Sequence, residues 1–201
     1  MATIRAYRPE DQSDLYRICL LTGDSGEDAT AAYADPKLLG HVFAGPYGAL
    51  QPDLAFVVED GEGVGGYVLG ALDTAAFEER LEKEWWPPLR ARYTDPDGKP
   101  RDEMTADERM VWAIHHPSRT PAELLERYPS HLHIDILPRL QGTGNGAGLI
   151  RTLLTALGEN GSRGVHLGVG ARNVRAIGFY RHMGFEELAG EKWGLLFGMS
   201  L

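Results

Sequence analysis

Apolar positions recur along the chain with two periods, one typical of strands and the other of amphipathic helices. Asp60-Gly61-Glu62-Gly63 separates two apolar runs, and Asp-Gly in that setting predicts a β-hairpin. Strands are predicted at residues 3–7, 54–59, 64–72, 131–137, 164–169 and 193–199, and helices at 9–21, 146–157 and 173–183. A weaker helical region contains Leu38, Leu39, Val42 and Phe43, and Pro46 and Gly48 are expected to end it.

The order of these elements predicts the fold class. A hairpin followed by strand, helix, strand, helix and strand indicates an α/β fold with a mixed sheet covered by helices on both faces. The length of 201 residues fits one domain, 1–201. Asn173 is the expected N-cap of the last helix and Gly184 its expected C-terminal stop.

Residues 74–130 differ in character from the rest of the chain. They are rich in charge, Pro and Trp, with helix-like patches at 77–86, 106–114 and 121–128. We interpret this segment as a helical insertion before the central strand, and we expect it to lie over a cleft. Trp85 and Trp86 are its expected hydrophobic anchor.

Composition and charge narrow the class of protein. The net charge is −9 and the pI is about 5.2, so the basic stripe of a nucleic-acid-binding protein is not expected. The acidity favours a cationic partner or only keeps the protein in solution. Cys19 is the single cysteine, which fits a reducing compartment, and we expect it in the core. With no apolar run of membrane-spanning length and no signal peptide at the start, we expect a cytoplasmic protein that does not bind membranes.

The segment between the strand at 131–137 and the helix at 146–157 is rich in glycine. It reads Pro138-Arg139-Leu140-Gln141-Gly142-Thr143-Gly144-Asn145-Gly146-Ala147-Gly148. A helix N-terminus offers unpaired N–H groups and partial positive charge, and glycines let an anion approach the backbone, so the segment predicts a phosphate site. The Gly-Lys-Ser/Thr ending of a P-loop is absent, and neither the glycine spacing nor the acidic residue of a dinucleotide fingerprint is present.

Two motifs in this region resemble the signatures of the GNAT acetyltransferases. Gln141-x-x-Gly144-x-Gly146 is similar to the family's pyrophosphate-binding signature, and Ile136-Leu137-Pro138 is similar to the strand end that precedes it. Asn173-Val174-Arg175-Ala176-Ile177-Gly178-Phe179-Tyr180, followed by Gly184-Phe185, is similar to the second signature. The resemblance covers most of the chain except residues 74–130. It implies a GNAT-like fold, whose sheet is mostly antiparallel.

The long insertion and the His-Leu-His-Ile-Asp strand further resemble the acetyltransferase-like domain of animal O-GlcNAcase and its bacterial stand-alone relatives. Some members of that group are suspected of having lost catalysis.

The GNAT resemblance implies acetyl-CoA as the co-substrate and no metal. Tyr180 would protonate the departing sulfur, since a phenol is protonated at neutral pH; its structural alternative is a packing role. Asn173 would hydrogen-bond the cofactor arm, or serve only as an N-cap. The residues implied to bind the cofactor are Ile136, Leu137, Gln141, Gly142, Thr143, Gly144, Asn145, Gly146, Asn173 and Tyr180.

The base for the reaction is sought among three polar residues of the predicted central strand. His131, His133 and Asp135 alternate, so a regular strand places them on one face. They either line an amine pocket, with His133 as base and Asp135 orienting it, or bond to one another or to the insertion. A bulge would change which residue faces the pocket. Zinc ligation by these three residues is a third alternative, but the sequence shows no further ligand, and we expect no metal.

These observations lead to one predicted function and one alternative from a different class. The prediction is an N-acetyltransferase that moves an acetyl group from acetyl-CoA to a primary amine, on a small molecule or a protein lysine. The alternative is a non-catalytic module that binds acetyl-CoA or another protein. A longer acyl donor and a homodimer are both compatible with the sequence.

Overall fold

The computed structural model describes residues 2–191 and 194–201, and a seven-stranded sheet forms its centre. The strands are β1 Thr3–Ala6, β2 Ala55–Asp60, β3 Gly63–Ala71, β4 Ser130–Ile136, β5 Gly164–Gly170, β6 Glu186–Glu191 and β7 Gly194–Ser200. Their order across the sheet is β1-β2-β3-β4-β5-β7-β6. Only β4 and β5 pair in parallel; the other neighbours are antiparallel. The predicted α/β fold with a mixed, mostly antiparallel sheet is confirmed.

Helices cover both faces of the sheet. They are α1 Gln12–Leu21, α2 Leu38–Phe43, α3 Gly45–Leu50, α4 Thr74–Arg80, α5 Trp86–Arg92, α6 Ala106–His115, α7 Ala122–Arg127, α8 Asn145–Glu159 and α9 Val174–His182. Alternate residues of β3 divide between two cores: Tyr67 and Leu69 pack with α1 and α3, whereas Val68 packs with α8 and α9. This division follows from the two-residue period of a strand and explains the apolar faces of α1 and α8.

The parallel pair β4 and β5 holds together at one end only. Their register contains Ser130 opposite Val165 and His131 opposite His166, yet β4 continues to Ile136 and β5 to Gly170. Where two neighbouring strands stop pairing, their facing backbone N–H and C=O groups have no partner across the sheet, and a gap separates the strands. The sheet is therefore open between the second halves of β4 and β5.

Two elements differ from the sequence prediction. Pro46 lies in the first turn of α3 instead of ending the helical region, because proline has a helix-compatible φ and its missing N–H is not needed there. Strand β6 was not predicted; its sequence Glu-Glu-Leu-Ala-Gly-Glu is poor in strand-forming residues, and it pairs only with β7 at the sheet edge. The predicted strand at 193–199 corresponds to β7, and Trp193 lies outside the described residues.

The segment 74–130 contains α4 to α7, with a π-helical turn at Leu81–Trp85 joining α4 to α5. Trp86 packs with Leu38 of α2 in a small separate core. The Trp85 indole N–H donates to the carbonyl of His41, 2.9 Å away. Both tryptophans thus hold the segment against α2.

Candidate functional site

A cavity of about 540 Å³ lies where β4 and β5 separate. The second half of β4 forms one wall, the loop before α8 forms its end, and α9 forms the other wall. The loop after α1 also reaches it. The lining residues are Thr22, Gly26, Ile134, Asp135, Ile136, Gln141, Gly142, Gly144, Gly146, Ala147, Asn173, Arg175, Ala176, Phe179, Tyr180 and His182. None of them belongs to 74–130, which packs on α2.

The glycine loop before α8 exposes a run of unpaired amides. The N–H groups of residues 142–147 donate to no backbone carbonyl that the structure describes. Gly142 and Gly144 have φ of +72° and +84°, in the left-handed region that favours glycine. The Asn145 side-chain amide holds the turn by donating to the carbonyl of Leu140 at 3.0 Å. Together with the α8 N-terminus, these amides can hold a phosphate or pyrophosphate group.

Gln141 joins both walls of the cavity. Its side-chain amide donates to the carbonyl of Ile136 at 2.6 Å, and its side-chain oxygen accepts from Arg175. Gln141 therefore connects the end of β4 to the start of α9. Arg175 adds a positive charge beside the unpaired amides.

Tyr180 has a buried ring and lines the cavity. The residue is 6% exposed and packs against Phe179, Phe185 and Phe197, with ring centroids 5.6–5.9 Å apart. Its hydroxyl makes no hydrogen bond to any residue the structure describes, and the side chain lines the cavity. Burial, with the nearby Asp135 charge, raises the pKa of Tyr180. The hydroxyl is therefore protonated at neutral pH and able to donate.

His133 and Asp135 contact each other on the face of β4 that packs towards α1. His133 Nε2 lies 3.0 Å from Asp135 Oδ2, and the hydroxyl of Tyr67 donates to the same oxygen at 2.6 Å. The β3–β4 register is regular through this stretch, so the strand has no bulge against β3 to change its facing. Asp135 lines the cavity, whereas His133 lies beside it against the partly exposed ring of Phe43, with centroids 6.0 Å apart.

His131 occupies a different environment from His133. Its Nδ1 bonds the Thr74 hydroxyl at 2.8 Å and its Nε2 bonds the Tyr47 hydroxyl at 2.8 Å. Burial lowers the pKa of His131 to about 3, so its ring is neutral. His131 therefore bonds to 74–130 and to α3, and does not converge with His133 and Asp135 on one ligand position.

The loop after α1 is a part of the site that sequence reasoning did not assign. Thr22 and Gly26 line the cavity, and Asp24 forms a 2.6 Å ion pair with Arg172 in the loop before α9. Ser25 has a φ of +58°, which is uncommon for a residue other than glycine. Only the contact of this loop with the residues before α9 reveals that it belongs to the site.

Most predicted site residues lie on the cavity. Its lining includes Asp135, Ile136, Gln141, Gly142, Gly144, Gly146, Asn173 and Tyr180. Leu137 instead donates its N–H to Gly65 in β3, and Thr143 and Asn145 brace the loop. Asn173 accepts from the N–H of Ala176 at 3.1 Å, as an N-cap does. The sequence missed Tyr67, although one phenol in an apolar central strand is a signal that a buried polar partner exists.

Among the described residues, no helix combines the length and apolar character that crossing a bilayer requires.

Comparisons with known proteins agree with this geometry. A family model described as "Acetyltransferase (GNAT) family" matches residues 4–185. The crystal structure of SsHAT is 40% identical with a TM-score of 0.92, covering 99% of this chain and 98% of that one. The structure of yncA from Salmonella typhimurium with its cofactor acetyl-CoA is 17% identical, has a TM-score of 0.55 and covers 100% and 92% of the two chains, which shows a shared fold.

Protein O-GlcNAcase of Rattus norvegicus is 31% identical over 188 residues. The match covers 93% of this chain and 20% of that protein, and the mouse protein matches equally. The chain thus spans about a fifth of the length of these curated relatives.

Proposed function

The chain belongs to the GNAT acetyltransferase family, and from this membership we propose that it transfers an acetyl group from acetyl-CoA to a primary amine. One observation carries the proposal: a row of amides and the Tyr180 hydroxyl, unpaired among the described residues, line one cavity together with the Asp135 carboxylate. These are groups that can bind an anion, donate a proton and support a base. The loop's open amides and left-handed glycines fit the pyrophosphate of coenzyme A.

Acetyl-CoA, when bound, supplies a thioester whose carbonyl carbon reacts with a neutral amine. In this proposal the amides of 142–147 hold the pyrophosphate, while Gln141 and Arg175 keep the cavity walls in place. The protonated Tyr180 hydroxyl donates to the departing sulfur. A burial-raised pKa keeps that proton on Tyr180 until it is needed.

The amine must lose a proton, since an alkyl amine with a pKa near about 10.4 is mostly charged at neutral pH. The contact of Asp135 with His133 supports a role for this pair as the base. A carboxylate that holds an imidazole favours one orientation and stabilises the imidazolium that forms when the ring takes a proton. Phe43, 40% exposed and stacked on His133, would lie on the acceptor side.

Release of the coenzyme A thiol tests the proposal. Wild-type protein with acetyl-CoA should release thiol with at least one amine of a panel containing lysine peptides, polyamines, aminoglycosides and amino sugars. Tyr180→Phe keeps the ring and removes the hydroxyl, so kcat and kcat/KM should fall together by about 10²-fold, with unchanged acetyl-CoA affinity. Normal turnover in Tyr180→Phe would remove this hydroxyl from the mechanism.

A second candidate function is a module that binds acetyl-CoA without catalysis. The side-chain amide of Gln141 already bonds the Ile136 carbonyl and Arg175, so its polar atoms are engaged within the protein. The similarity to O-GlcNAcase covers only one part of that protein. Binding of acetyl-CoA with no thiol release across the panel would favour this candidate.

A further inference from the structure

We infer that Tyr67 is a positioning residue: it donates its hydrogen to Asp135 and accepts from His133 Nε2, which fixes the tautomer of His133 so that Nδ1 is the ring nitrogen able to take the acceptor's proton. The role in proton transfer rests on the proposed function, whereas the tautomer can be tested without turnover. Nothing in the motifs of the chain identifies Tyr67, which lies 68 residues before Asp135.

The sheet register brings the three groups together. In the β3–β4 pair, Tyr67 lies opposite Asp135 and Leu69 lies opposite His133, so Tyr67 and His133 are diagonal neighbours on one face. Tyr67 is 0% exposed. A phenol buried this completely needs a partner for its hydroxyl, and the Asp135 carboxylate provides it at 2.6 Å.

The distances assign the hydrogen atoms. The Tyr67 hydroxyl has one hydrogen, and the charged Asp135 Oδ2 at 2.6 Å is a stronger acceptor than His133 Nε2 at 3.1 Å. Nε2 also lies 3.0 Å from Oδ2. With the phenol hydrogen given to Oδ2, the Tyr67 oxygen can only accept from Nε2, so Nε2 carries a hydrogen and donates it to the Tyr67 hydroxyl.

The other ring nitrogen is therefore the basic one. His133 Nδ1 bonds no residue in the part of the chain that the structure describes, and the side chain is 29% exposed. In the proton transfer, the bond from the amine nitrogen to its hydrogen breaks as a bond from Nδ1 to that hydrogen forms. Nε2 keeps its hydrogen, and the imidazolium charge lies against Asp135.

Four titratable groups surround the Asp135 carboxylate. Tyr67 approaches from β3, His133 from its own strand, and Tyr180 from α9. The Cys19 sulfur from α1 lies within 4.8 Å of the nearest ligand atoms of His133 and Asp135. Burial raises the pKa of the Cys19 thiol and of the two phenols, so these three groups are neutral near pH 7. Asp135 therefore orders the hydrogen of Tyr67, and Tyr67 in turn orders His133.

Tyr67→Phe tests the inference, with Tyr47→Phe as the matched control. Both phenols are buried on the same face and each bonds a β4 histidine, but Tyr47 bonds His131, away from the cavity. Tyr67→Phe should lower kcat about tenfold and move the acid limb of the kcat/KM profile to higher pH, because a carboxylate that has lost a donor holds a proton more firmly. Tyr47→Phe should change stability alone. Equal pH profiles in the two variants would overturn the inference.

Nitrogen-15 NMR of histidine-labelled protein supplies the readout that does not need turnover. Wild-type His133 should show hydrogen on Nε2, and Tyr67→Phe should show a mixture of tautomers. Hydrogen on Nδ1 in the wild type, or an unchanged spectrum in the variant, would overturn the inference even if no amine is acetylated. If Tyr67→Phe does not fold, Asp135→Asn serves instead. Because this substitution removes the charged acceptor of the Tyr67 hydrogen, it should also produce a mixture of His133 tautomers.

Discussion

At the scale of single residues, the site depends on atoms left without partners. The Tyr180 hydroxyl and the amides of 142–147 are unpaired among the described residues, and they border the cavity, where a ligand can reach them. Gly144 shows the requirement clearly, because its φ of +84° is compatible with glycine and its missing side chain leaves the amides accessible.

Gly144→Val should abolish acetyl-CoA binding while leaving the protein folded. A branched side chain would project where the anion must approach, and it would strain a left-handed position. Gly161→Val is the control, since Gly161 has a φ of +82°, also has no neighbour within 4 Å, and lies past the other end of α8. Calorimetric titration should show binding in the control and none in Gly144→Val; wild-type affinity in the latter would refute the anion cradle.

At the scale of elements, β4 places one histidine in a buried position and another in a solvent-accessible position. His131 lies where β4 still pairs with β5, and it is enclosed by Tyr47 and Thr74. His133 lies past the last paired position, where the sheet opens and solvent reaches the ring. The separation of the strands therefore decides which imidazole is structural and which is accessible.

His131 should make stability depend on pH. Its folded pKa of about 3 is below the unfolded value near about 6.5, so the unfolded chain binds the proton first. The stabilising contribution is complete above about pH 6.5 and is lost as the pH falls towards 3, by roughly 1.4 kcal/mol per pH unit.

Urea unfolding between pH 4.5 and 7.5 measures this dependence. The free energy of unfolding should fall more steeply with decreasing pH for the wild type than for His131→Gln, which cannot titrate. Taking the difference between the slopes of the two proteins removes the contributions of other titrating groups. Equal slopes for the two proteins would show that His131 does not carry the dependence.

At the scale of the whole molecule, the site has to bind an anion in a protein of net charge −9. The α8 N-terminus, the unpaired amides and Arg175 concentrate positive potential where β4 and β5 separate. The ion pair of Arg172 with Asp24 brings the loop after α1 to the same place. The local charge at the site is thus set by a few groups, and its sign is opposite to that of the protein's net charge.

Acetyl-CoA should raise the melting temperature. A ligand that binds only the folded state at 100 times its Kd adds about 2.7 kcal/mol, which corresponds to roughly 5–10 °C for a chain of this size. Differential scanning fluorimetry with millimolar acetyl-CoA measures the shift, and Gly144→Val should not show it. An unchanged melting temperature of the wild type would contradict acetyl-CoA binding and, with it, the proposed function.

Much of the fold and part of the site could be predicted because their signals are local. The hairpin at Asp60-Gly61, the N-cap Asn173 and the C-terminal Gly184, with φ of +91°, depend on the conformation of a few adjacent residues. The glycine loop is recognisable for the same reason. Strand β6 escaped prediction because its pairing with β7 outweighs its weak local preference.

What only the tertiary structure decided depends on pairing between distant segments. Strand alternation alone places His133 and Asp135 on one face. The β3–β4 register brings Tyr67 to them, and the early end of β4–β5 pairing opens the cavity. Thr22 and Gly26 reach that cavity from more than 100 residues before it, counted to Ile134. Local chemistry could name the anion cradle, and the family resemblance could name the candidate acid. The surroundings of the candidate base come from contacts that no short stretch of sequence encodes, because side-chain packing over the whole sheet selects them.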